Sequence, residues 1–214
     1  MNFGYFDFEH LLSSKDYIIE DVKTKGVFHP KRWKETFGKP LTRNIIEAKI
    51  LHTLEGLTIP LKRYASNQQI QIIEFAGLNG YNEKSKRLKS LLIELLPILR
   101  ICLIKRIDVC YDFPRVPNSI IKNICSTGRK STPFKNTIYY KTVKEKKTNQ
   151  TMDIKRYSKQ LKEKLLVPME RLEFVFKGAY LENMELIELE NLFSKIEKSI
   201  YKFSGIKTKI FPIS

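Results

Sequence analysis

The chain has 214 residues, 42 % of them hydrophobic and 11 % aromatic, with 39 Lys plus Arg against 23 Asp plus Glu and a formal net charge of +16. This composition supports a packed core and argues against overall disorder, and the length suits a single domain over 1–214. The basic excess points to a polyanionic partner, nucleic acid before an acidic protein or a membrane surface.

Residues Met1 to His10 carry Asp7 and Glu9 and no apolar run, so no signal peptide is expected. The most apolar stretch, Leu91 to Ile104, is broken by Glu94, Pro97 and Arg100, so no membrane span is expected. Cys102, Cys110 and Cys125 are odd in number and lack Cys-x-x-Cys spacing. They read as reduced core residues of a cytoplasmic protein.

Along the chain, Tyr17 to Phe28 and Leu57 to Tyr64 read as strands, and Arg43 to Leu54 is ambiguous between strand and helix. Ile70 to Phe75 is a β-branched strand ending at Gly77 and a turn-like Asn79-Gly80. A helix is expected from Ser85, with Leu88, Leu91, Leu92, Leu95 and Leu96 on its apolar stripe, ended or kinked by Pro97. The period then changes from 3.6 to two, giving a strand from about Arg100 to Phe113, closed by Pro114. A short helix follows from Pro117 to Cys125, then a basic loop rich in Ser, Thr and Gly from Ser126 to Lys135.

Strands are expected at Asn136 to Lys141 and Asp153 to Tyr157, joined by an exposed hairpin loop from Val143 to Thr151. Ser158 to Leu166 reads as helical. Glu170 to Lys177 alternates, and Asn183 to Phe203 forms a final amphipathic helix through Leu186, Leu189, Leu192, Phe193, Ile196 and Ile200. The class expected is α+β, a central and mainly antiparallel sheet with helices packed on one face.

Two of these strands carry chemistry. In Arg106 to Phe113, Ile107, Val109, Tyr111 and Phe113 alternate with Arg106, Asp108, Cys110 and Asp112. In Glu170 to Lys177, Leu172, Phe174 and Phe176 alternate with Arg171, Glu173 and Val175. If helices bury the apolar sides, Arg106, Asp108, Asp112, Arg171, Glu173, Lys155 and Tyr157 gather on the open face. Carboxylates, a tyrosine and cations on one surface suit phosphodiester chemistry. Hard oxygens hold Mg²⁺ or Mn²⁺, and a phenol can attack phosphorus.

Four segments in order resemble the replication initiators of filamentous phages (the gene II protein type) and the trans-acting Rep proteins of rolling-circle plasmids. They are Arg106-Ile107-Asp108 with Asp112, then Ser126-Thr127-Gly128-Arg129-Lys130-Ser131-Thr132 with the strand after it, then Tyr157-Ser158-Lys159, and last Arg171-Leu172-Glu173. Ile73-Glu74-Phe75 is more faintly similar to an upstream glutamate-bearing strand, and the resemblance spans residues 70–182. The plasmid proteins have Tyr-Asp-Lys where this chain has Tyr157-Ser158-Lys159, and a glycine after the strand that here continues Tyr140-Lys141.

The resemblance implies a rolling-circle initiator. It would nick and rejoin origin-specific single-stranded DNA through a 5′-phosphotyrosine, working with a host helicase and polymerase and no membrane. Tyr157 would be the nucleophile, with Lys159 beside it. Asp108 and Glu173 would be metal ligands, with Asp112, which fits the plasmid pattern better than the phage one. Arg106, Arg129, Lys130, Lys155 and Arg156 would contact nucleic acid. Residues 1–69 would be added strands for DNA recognition and 70–214 the nicking core; no oligomeric state is implied.

Two other classes stay open on the residues alone. One is a non-catalytic DNA-binding replication or copy-control protein. The other is a nuclease in which a metal-activated water attacks. The three histidines form no His-x-His pair and no Walker loop is present, which argues against histidine-pair nickases and motor NTPases.

Overall fold

The computed structural model describes residues 1–13, 17–78, 82–142, 152–163, 165–181 and 189–210. The chain forms two compact units, Met1–Ile104 and Lys105–Ser214. Strand Ile70 to Phe75 and the leucine-rich helix, which sequence grouped with the second segment, lie in the first unit. The described residues hold eleven strands and six α-helices, and the strand pairs are antiparallel, which is the expected α+β class. No helix among them is long and apolar enough to cross a membrane.

The first unit comprises β1 (Asn2–Tyr5), α1 (Phe8–Leu11), β2 (Tyr17–Thr24), β3 (Val27–Phe28), α2 (Pro30–Phe37), β4 (Ile45–Thr53), β5 (Thr58–Tyr64), β6 (Asn67–Glu74) and α3 (Glu83–Leu99). Its strands run in the order β3-β2-β4-β5-β6-β1. The ambiguous stretch is a strand because β4 buries residues on both faces, Ala48 and Ile50 on one and Leu51 on the other. Helix α2 starts with Pro30, whose missing N–H costs nothing there, and ends at left-handed Gly38 (φ 68°). It drives Trp33 onto Val22, Ile45, Ala48 and Ile50.

Helix α3 begins earlier than sequence suggested. Asn82 caps it by accepting from the Ser85 amide at 2.8 Å, and the Ser85 hydroxyl accepts from the Asn82 amide in return. Pro97 does not end it; the helix runs on to Leu99. In the last turn the proline forfeits one helical bond, to the carbonyl of Ile93, a residue 37 % exposed.

The second unit comprises β7 (Leu103–Phe113), α4 (Asn118–Ser126), β8 (Arg129–Phe134), β9 (Thr137–Thr142), β10 (Met152–Ser158), α5 (Lys159–Glu163), β11 (Glu170–Lys177), a 3-10 turn (Gly178–Tyr180) and α6 (Leu189–Ser204). Its strands run β7-β11-β10-β9-β8. The stretch expected to be a basic loop is mostly strand β8, paired with β9 from Arg129↔Thr142 to Phe134↔Thr137. The Asn79-Gly80 turn, the Val143 to Thr151 loop and Leu186 fall outside the described residues.

Alternation in β7 and β11 works as expected. Leu172, Phe174 and Phe176 are fully buried, and their face receives α6: Arg129, on that same face, stacks over Phe203 at 4.9 Å, and the Tyr180 hydroxyl donates to the Lys195 carbonyl at 3.0 Å. Ile196 and Ile200 complete this core. The three cysteines are free, but only Cys102 is buried. Cys110 and Cys125 are exposed, because the first lies on the polar side of β7 and the second near the end of α4.

Candidate active site

Register assembles the open face of the second unit. Asp112, Arg171 and Tyr157 form one cross-strand row; Cys110, Glu173 and Lys155 form the next; Asp108, Val175 and Asp153 form the third. The side chains therefore meet both across and diagonally.

Glu173 is the centre. It is only 6 % exposed, yet it receives the Tyr157 hydroxyl at Oε2 (3.1 Å) and the Lys155 ammonium at Oε1 (2.8 Å), with Arg106 Nη2 at 3.9 Å. Burial first, and then the Glu173 charge, raise the Tyr157 phenol above its ordinary value, with Arg171 opposing. Tyr157 is therefore a neutral hydroxyl with a carboxylate in place to take its proton. Lys162, from α5, sits 4.7 Å from the centre of its ring. Sequence reading overlooked Lys162. The signal was its distance past the end of a strand, where a helix turn carries it back over the phenol.

Asp108 is clamped by Arg106 in a two-pronged pair at 2.7 and 2.8 Å. The same guanidinium approaches Glu173, so Arg106 lies between the two carboxylates. Asp108 and Glu173 are diagonal neighbours across β7 and β11. Both Asp108 oxygens are held by Arg106, and the two Glu173 oxygens by Tyr157 and Lys155, so a divalent ion at this pair would have to displace Arg106.

Asp112 is also a diagonal neighbour of Glu173, on the side opposite Asp108. It lies four residues along β7 from Asp108, about 13 Å at ~3.3 Å per residue, too far to share one ion. Its carboxylate is saturated by Arg171 (2.7 Å to each oxygen) and by Lys159 (2.8 Å). Burial pushes its pKa up, but these two cations outweigh burial and bring it down to about 2. Among the described residues no three His, Cys, Asp or Glu side chains converge as a metal site.

Three of the expected site residues, Lys159, Arg129 and Arg156, are engaged elsewhere. Lys159, expected beside the nucleophile, is 3 % exposed and paired with Asp112 and Glu163. Arg129 is 5 % exposed, donates to the Tyr140 carbonyl at 3.1 Å and lies on the helix-covered side. Arg156 pairs with Leu172 and Ile138, which puts it on that same covered side. Odd and even positions of a strand cannot both face substrate. Lys130, Lys155 and Arg106 do lie on the open face. Glu74, in the first unit, pairs with buried Lys62 and with Lys39.

Compared with protein-family models, curated proteins and solved structures, the chain matches none.

Proposed function

We propose that this protein nicks and rejoins single-stranded DNA through Tyr157, as the initiating step of rolling-circle replication. The observation that carries the reading is the Tyr157 hydroxyl donating to a buried carboxylate, Glu173, amid Lys155, Arg106 and Lys162. The resemblance of the four ordered segments supports the same reaction.

In this reaction the Tyr157 Oη–P bond forms as its proton passes to Glu173, and the P–O3′ bond breaks. The departing 3′ oxygen takes a proton from solvent. The product is a 5′-phosphotyrosyl link and a free 3′-OH, which a host polymerase extends behind a host helicase in the cytoplasm. Attack by that 3′-OH on the phosphotyrosine reverses the step and seals the strand. Lys155 and Arg106 offset charge on the phosphate. Mg²⁺ or Mn²⁺ held by Asp108 and Glu173 would add Lewis-acid charge stabilisation on the phosphate oxygens.

The test is incubation with single-stranded oligonucleotides and Mn²⁺, followed by denaturing electrophoresis. A covalent adduct is expected, and it should vanish in Tyr157→Phe. An adduct that persists in that variant refutes the assignment. Cleavage without an adduct indicates attack by water. Salt-sensitive binding without cleavage under any metal indicates a DNA-binding module.

A further inference from the structure

The open face of the second unit carries three aromatic rings, and each has a lysine ammonium over it. Besides Lys162 on Tyr157, Lys141 lies 5.4 Å from the Tyr139 ring centre and Lys135 lies 5.7 Å from that of Phe134. Register sets them on a continuous surface. Phe134 pairs with Thr137, which pairs with Tyr157, so the first and last share a row. Tyr139 pairs with Lys155, in the row of Glu173.

Phe134 is 62 % exposed, so its ring gains little from the core. An ammonium over an exposed ring is a weak cover. A nucleobase offers a whole π-face instead, and stacking is the stronger contact. A lysine displaced by a base has a flexible stem that can carry its charge to the adjoining phosphate. The distance fits as well. Two inter-strand steps separate Phe134 from Tyr157, about 10 Å, which is about three nucleotides at the ~3.4 Å rise of stacked bases.

We propose that Tyr139 and Phe134 are a stacking platform for the unpaired DNA strand next to the scissile phosphate. The bases lie on the rings, and the phosphates meet Lys141, Lys135 and Lys130. This rests on the Tyr157 reading and extends it by giving the substrate a path, from β10 across β9 to the edge strand β8. A duplex cannot use the platform, because its base faces are already stacked.

The test is fluorescence anisotropy of the full chain with a labelled oligo-dT of about a dozen nucleotides and with a duplex of equal length. Wild type should prefer the single strand. Phe134→Ala and Tyr139→Ala should each weaken single-strand binding about tenfold, and together about a hundredfold, with the salt dependence unchanged. Tyr139→Phe should restore binding, which separates loss of the ring from loss of fold; circular dichroism of each variant checks the same point. Unchanged single-strand affinity in the alanine variants overturns the platform. So does an equal loss for duplex, or a wild type without preference. Adduct formation is scored separately. No adduct in wild type, with binding lost in the ring variants, leaves the platform standing and removes the nucleophile. An adduct with normal binding in the ring variants does the reverse.

Discussion

Tyr157 and Glu173 meet on a diagonal: the register partner of Tyr157 is Arg171 and that of Glu173 is Lys155, yet the phenol reaches the carboxylate at 3.1 Å. Each member of the pair thus has a cation directly opposite it. Burial and the neighbouring carboxylate together hold the proton on the tyrosine. Glu173→Gln keeps the shape and removes both the proposed base and a proposed metal oxygen, so adduct formation should slow at least about 100-fold, at saturating Mn²⁺ as well, while oligonucleotide binding persists. Single-turnover kinetics on a folded variant measure this.

Burial and the Glu173 charge both hold the phenol neutral, so Tyr157 should ionise above the ordinary tyrosine value of about 10. An ultraviolet difference titration of wild type against Tyr157→Phe isolates its phenolate signal. In Glu173→Gln the charge contribution disappears while burial remains, and the titration should move part of the way back toward that value.

The Asp112 cluster makes the second unit acid-sensitive within a defined window. Its folded pKa, about 2, lies below the unfolded 3.8, so its stabilisation is complete above about pH 4 and is lost as pH falls through 2. The shift corresponds to about 2 kcal/mol. Asp112→Asn should cost about 3 kcal/mol at neutral pH, because Arg171 and Lys159 are left buried beside a neutral amide. Urea unfolding at several pH values should show the wild type losing stability between pH 4 and 2 and the variant losing less there.

These features were unevenly legible in the sequence. Strict alternation in Arg106 to Phe113 and Glu170 to Lys177 suffices to put Asp108 and Glu173 on the polar sides of their strands, because the other side of each is apolar; Tyr157 lies on β10, where Arg156 shares the covered side and the alternation is weaker. Alternation says nothing about pairing, so Asp112 looked like a third ligand although Arg171 stands directly opposite it. Lys159 follows the strand end, where the period changes, and the turn into α5 takes it under Asp112. Strand β8 was hidden by Ser131, Thr132 and Pro133, which are turn-forming in isolation and here form an exposed edge. Helix α2 was hidden because Trp33 is the only residue it buries.

Arg106 lies between Asp108 and Glu173, where it competes with any divalent ion for the same oxygens. Arg106→Gln should therefore tighten Mn²⁺ binding, and Glu173→Gln should weaken it. Asp112→Asn, if folded, should leave it unchanged. Isothermal calorimetry without DNA gives the three values.

In the first unit, Trp33 is 1 % exposed and has Lys62 5.6 Å from its ring centre. Trp33→Ala should cost about 4 kcal/mol through the cavity left against Val22, Ala48 and Ile50. Denaturant unfolding followed by circular dichroism measures the loss.

Strand β8 stands at the end of the strand order, and Pro133 sits within it. A proline has no amide hydrogen to offer, and Lys130 adds a charge to the same edge. Sheet margins of this kind resist recruitment by a further polypeptide strand. Copies of the protein brought close together thus meet at this edge without zipping their backbones into one sheet.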